Sequence, residues 1–144
     1  MRDVSTADVA LNKAAIIERC VRRAREVYAG DEANLTSDLT RQDSIILNIQ
    51  RACEAAVDLA MHLVRMHRLG IPQESRDAFD LLATAGELEP ELAAVLKRMV
   101  GFRNIAVHDY QRLNLDVVRA ILRRQLDDLL AFAQLGVRSA PRPA

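Results

Sequence analysis

The chain has 144 residues, half of them apolar, enough for one domain to bury a core without metals or disulfides. Twenty basic and twenty acidic residues give a formal charge of zero, which excludes a protein that coats nucleic acid through bulk electrostatics and leaves only local contacts. Two cysteines without metal-ligand spacing, Cys20 and Cys53, point to a reducing cytosol, and neither the polar, acid-bearing N-terminus nor any later run is apolar enough for a signal peptide or a membrane span. The expected location is cytoplasmic. Eighteen of the twenty basic residues are arginine. Guanidinium forks grip phosphate oxygens bidentately, although codon usage in a GC-rich genome gives the same bias with most arginines on solvated helix faces.

Glycine and proline divide the chain into five predicted helices. Gly30, Gly70, Gly86 and Gly136 each follow a run of helical periodicity, and Pro72 and Pro90 stand just before or at new starts. The first helix is expected over about residues 6–29, with Leu11, Ala14, Ile17, Val21, Ala24 and Tyr28 on one stripe and Arg19, Arg22, Arg23 and Arg25 on another face. The second, over about 38–69, repeats Ile45, Ile49, Ala52, Ala56, Leu59, Leu63 and Met66 at four-three spacing, the seam of a long helix packed nearly parallel to its neighbours. Beside that seam runs a polar stripe of Asn48, Arg51, Asp58, His62 and Arg65, a candidate cleft wall or an ordinary solvated edge. A short third helix over about 74–85 reads as a cap. The fourth begins near Pro90 and carries Leu92, Val95, Leu96 and Met99 into the stretch 101–110. The fifth spans about 115–135, with Leu115, Val118, Leu122, Leu129 and Phe132 inward. No stretch alternates with period two, so the fold is all-α, an antiparallel four-helix bundle made by the first, second, fourth and fifth helices with one additional short helix. One domain over 1–137 and a flexible C-terminal tail over 138–144 complete the expectation.

The densest chemistry lies in Gly101-Phe-Arg-Asn-Ile-Ala-Val-His-Asp-Tyr110. Gly101 is a costly residue inside a helix, by about 1 kcal/mol relative to alanine, so a close contact, a bend or an early helix end is expected there. On an ideal helix Asn104 and His108 share a face about 100° and 140° from Arg103, while Tyr110 lies near Arg103. The two pairs bracket a corner, so Arg103 and His108 meet one substrate only if the arginine reaches around, the helix distorts, or a two-fold-related copy brings the same motif across. An arginine and a histidine without metal are a minimal set for cleaving RNA by its own 2′-hydroxyl. Imidazole takes the proton from that hydroxyl or gives one to the leaving 5′-oxygen, and guanidinium stabilises charge gathering on the phosphoryl oxygens. His62 and His67, five residues apart, do not make the four-residue pair that aims two imidazoles at one ion, so neither a metal nor a cofactor is expected.

Arg103-Asn-Ile-Ala-Val-His108-Asp-Tyr110, preceded by Lys97-Arg-Met-Val-Gly-Phe102, closely resembles the Arg-x4-His-x-Tyr signature of the HepT-like toxins, a branch of the HEPN ribonuclease superfamily. Segments 17–28, 47–60, 70–72 and 79–86 resemble that family's first helix, second helix and capping segment. The resemblance implies a metal-independent endoribonuclease toxin of a prokaryotic toxin-antitoxin pair, active as a homodimer on an RNA substrate, with Arg103 and His108 catalytic and Asn104 the supporting polar residue. It implies further an MNT-type nucleotidyltransferase antitoxin that transfers AMP from ATP to Tyr110, placing anionic phosphates where the RNA backbone must lie. The alternative reading is a non-catalytic helical accessory subunit that binds nucleotide in the same cleft or docks a nucleotidyltransferase.

Overall fold

The computed structural model describes residues 6–139, and among them there is helix and turn but no strand. Helix α1 (Thr6–Tyr28) buries Ala14, Ile17, Val21 and Ala24 of the predicted stripe, together with Ala10. Leu11, expected on that stripe, is 53% exposed, because Ala10 takes the inward position one residue earlier. The helix closes through left-handed Ala29 and Gly30 (φ 53° and 68°), and a single turn, α2 (Ala33–Thr36), plugs Leu35 into the bundle end.

Helix α3 (Leu39–Met66) is the axis of the molecule. Asp38 caps it by accepting from the Arg41 amide at 3.0 Å, and the predicted seam from Ile45 to Leu63 is buried. It packs against α1 and against three later helices: α4 (Ser75–Thr84), α5 (Pro90–His108) and α7 (Leu126–Ser139). α1, α3, α5 and α7 form the four-helix bundle. The short α4 starts on a reciprocal capping box between Glu74 and Asp77 and is more than a lid, since its Phe79 meets Phe132 of α7 edge to face with ring centroids 5.6 Å apart. No helix among the described residues is long and apolar enough to cross a membrane.

The predicted fifth helix is continuous but not regular. α6 (Leu115–Ala120), capped by Asn114, runs through a π turn at Ile121–Gln125 directly into α7. The wide turn keeps Val118, Leu122, Leu126 and Leu129 all inward, although they are spaced four, four and three apart. α7 also outlasts its predicted end. Gly136 lies inside the helix, where a Cβ would stand 2.5 Å from Cδ2 of Leu59, so this glycine allows α7 to press on α3 and does not terminate it. Arg138 and Ser139, expected in the tail, belong to the helix. The Ser139 hydroxyl donates to Glu87 at 2.8 Å, and its carbonyl lies 2.9 Å from Nε2 of His67. The rest of the expected tail, 140–144, lies outside the described residues.

Gly136→Ala is therefore expected to destabilise the protein by about 1–3 kcal/mol through overpacking, despite alanine's better helix propensity. Urea denaturation checks it: the midpoint should fall while the slope stays unchanged.

Candidate active site

α5 runs without a break from Pro90, through Gly101, to His108, so the glycine neither ends nor replaces the helix. What compensates it is a close approach. A Cβ at Gly101 would stand 2.8 Å from Nη2 of Arg76, whose side chain crosses from α4 onto the α5 surface. Asp109 leaves helical geometry (φ −152°), and a 3-10 turn, Tyr110–Arg112, follows. Tyr110 is thus off the helix on which an ideal wheel places it beside Arg103. The turn swings it back to α3, where its hydroxyl donates to the Asp43 carboxylate.

Arg103 faces the middle of α3. Its guanidinium acts on the thiol of Cys53, which burial pushes up to about 12 against the pull of that positive charge. The thiol is therefore neutral and does not balance the arginine. The Nε of Arg103 is buried and has no hydrogen-bond partner, and the side chain belongs to none of the ion pairs among the described residues. Its free end opens on a cleft of about 410 Å³ lined by Glu74, Ser75, Arg76, Val100 and Asn104. A buried donor left unmatched costs about 1–3 kcal/mol, which an anionic oxygen entering the cleft would recover.

Asn104 shares that cleft, whereas His108, exposed at the last residue of α5, does not line it. Within one chain the guanidinium and the imidazole therefore stand at neighbouring places on one helix rather than in one cavity, as the wheel anticipates. Tyr110 is farther off: Asp43 and Cys53 are ten residues apart on α3, roughly 15 Å of helix.

The polar stripe of α3 does not wall this cleft. Asp58 pairs with Lys13 of α1 at 3.2 Å, the Asn48 amide turns back to the Ser44 carbonyl at 2.8 Å, His62 is buried within the bundle, and Arg51 is exposed away from the lining. Asp58 faces α1, whereas the helix meets the motif through Asp43 and Cys53. Among the described residues no group of histidines, cysteines and carboxylates has the arrangement to hold a metal ion.

Three residues at the site escape sequence reasoning: Asp43, Cys53 and Arg76. Only Arg76 has a signal, and it is indirect, since the unexplained Gly101 announces that something approaches α5 closely. The Tyr110 phenol is pushed up to about 12, first by partial burial and then by its hydrogen bond to the Asp43 carboxylate.

A family model described as Ribonuclease HepT-like matches residues 17–135. The mRNA nuclease HepT of Shewanella oneidensis is 51% identical over 125 residues, 87% of this chain and 93% of that protein. Among solved structures, a tri-AMPylated Shewanella oneidensis HEPN toxin in complex with an MNT antitoxin superposes with a TM-score of 0.84 at 50% identity, over 89% of this chain and 96% of that one. A toxin-antitoxin structure with AMP-PNP matches at 49% identity with the same TM-score and coverage. With the motif, the bundle and the sequence of known relatives in agreement across nearly all its described length, the chain belongs to the HepT-like ribonuclease family.

Proposed function

We propose that the protein is a metal-independent endoribonuclease toxin that cuts RNA by attack of the ribose 2′-hydroxyl on the adjoining phosphorus, and that a nucleotidyltransferase antitoxin silences it. The observation that carries this is the half-buried, uncompensated Arg103 at the mouth of a cleft, five residues ahead of a solvent-facing imidazole. Arg103 is a ready receptor for a phosphoryl oxygen, and its fork stabilises the charge that gathers there as the 2′-oxygen bonds to phosphorus. His108 takes the 2′-hydroxyl proton or returns one to the departing 5′-oxygen, leaving a 2′,3′-cyclic phosphate on one product and a 5′-hydroxyl on the other. Asn104, one turn before His108 and lining the Arg103 cleft, holds the substrate between them. A homodimer completes the reading, with a two-fold-related α5 bringing a second imidazole to each guanidinium. The relatives support it as a mRNA nuclease and as a HEPN toxin held by an MNT antitoxin.

Tyr110 is the proposed acceptor of AMP. Its side chain is 41% exposed, and its hydroxyl already donates to Asp43. As the phenolic oxygen bonds to the α-phosphorus of ATP and pyrophosphate leaves, that carboxylate is placed to receive the phenolic proton. The contact favours the neutral phenol, so free phenolate does not form near neutral pH and transfer depends on this carboxylate or one supplied by the partner.

Cleavage in excess EDTA tests the central claim. The wild type should yield fragments ending in cyclic phosphate, and His108→Ala and Arg103→Ala should each lose at least about 100-fold in rate with little change in melting temperature. Arg103→Lys should not restore activity, because an ammonium lacks the planar fork. No cleavage by the wild type would favour the accessory-subunit reading instead. A second measurement addresses Tyr110. Its folded pKa is raised, so its contribution to stability is complete below pH of about 10 and lost as pH climbs towards about 12. Ultraviolet titration should find both tyrosine midpoints above the ordinary value, since the other tyrosine, Tyr28, is also raised, by burial and by Glu32. Asp43→Asn should bring one of the two midpoints part of the way down, because burial is the larger cause and remains.

A further inference from the structure

Arg76 is unusually placed for a surface arginine. It forms no hydrogen bond or ion pair with any described residue, and its guanidinium lies against α5 at Gly101, where a Cβ would stand 2.8 Å from Nη2. From there Arg76 forms the ridge between two hollows that share Asn104: the Arg103 cleft on one side, and on the other a groove of about 600 Å³ between α5 and α6. Phe102, Ile105, Leu113 and Val117 line that groove, with Ile105 and Val117 each more than two-fifths exposed, and Arg98 and Arg112 also belong to its wall. The one carboxylate in the Arg103 cleft, Glu74, is engaged with the α4 backbone in the capping box.

We infer that Arg76 and the groove it overhangs form a binding subsite for the nucleotide adjoining the cleaved bond, with Arg76 gripping that nucleotide's phosphate and the apolar groove receiving its base. This rests on the ribonuclease reading and extends it from the reacting phosphate to its neighbour. The two features match the two halves of a nucleotide. A guanidinium without a carboxylate partner binds a phosphodiester bidentately, and an apolar groove accepts a base face irrespective of its identity. Continuity supplies the rest, because Asn104 lines both hollows and a strand gripped at Arg103 passes directly under Arg76. Arg76 is a positioning residue; no proton or bond changes at it.

The test uses the full chain and a short end-labelled single-stranded RNA that the wild type cuts at one bond, with versions shortened nucleotide by nucleotide from each end. For the wild type, removing the adjoining nucleotide on one side should raise KM at least about tenfold. Arg76→Ala should raise KM by a similar factor on the long RNA, with kcat changed far less, and should be indifferent to that truncation. It should also reduce the salt slope of log kcat/KM by about 0.7, the value of one phosphate contact on a single strand. Gly101→Ala is the second variant. Its methyl group displaces the guanidinium while favouring the helix, so KM should rise towards that of Arg76→Ala with no fall in melting temperature, and the double variant should be no worse than Arg76→Ala alone. Wild-type values of KM, truncation response and salt slope in both single variants would overturn the subsite. If those variants instead lost affinity for the antitoxin, the groove would belong to the protein partner. A wild type that cuts no RNA defeats the parent reading, and this one with it.

Discussion

A charged guanidinium held half out of water, with no counter-ion among the described residues, is the constraint around which this protein is built. Arg103 cannot lose its proton, so the penalty stays with the folded chain and the bundle must be stable enough to carry it. α3 meets that demand. Its seam is buried from Ile45 to Leu63, five other helices of the fold close on it, and the Cys53 thiol that feels the guanidinium is kept neutral by burial. A carboxylate in place of Cys53 would pair with Arg103 and occupy its fork. The core thus excludes the competing anion as well as the water.

The sequence reveals the scaffold because periodicity is a property of neighbours along the chain. Ile17, Ile45, Ala56, Leu63 and Phe132 could be placed inward from spacing alone, and Pro90 marked a helix start correctly. Terminating glycines were less legible: Gly30 and Gly86 have the left-handed geometry of chain reversal, but Gly136 has the same helical run before it and serves packing against Leu59. A missing Cβ is chosen either for backbone freedom or for space, and only the neighbour across the gap decides which. The π turn was invisible for a related reason, since four-residue spacing is ordinary in an α-helix and its excess shows only once the inward set is known.

At the candidate site the motif names groups but not the distances between them. Arg103, Asn104 and His108 kept their wheel positions because α5 stays regular, whereas Tyr110 left its own when Asp109 ended the helix. Its partner Asp43 is sixty-seven positions away, one acid among twenty. Periodicity aligns Asn48, Arg51, Asp58 and His62 with one another but does not say which neighbouring helix each faces; for Asp58 that neighbour is α1.

Zero formal charge is compatible with locally unpaired cations here because the charges are sorted. Lys13 with Asp58, Arg25 with Asp127, Lys97 with Asp80 and Arg119 with Glu32 tie helices together across the outside of the bundle, each pair neutral and of modest worth in water. Carboxylates spent there are not available near Gly101, where Arg76 and Arg103 remain uncompensated on either side of Asn104. The long-range field is thereby small, and salt screens the exposed pairs more than the half-buried arginine. The same sorting exposes the cleft to control. Phosphates attached at Tyr110, in the turn just past α5, would add negative charge beside a surface on which Arg76 and Arg103 have no carboxylate partner among the described residues.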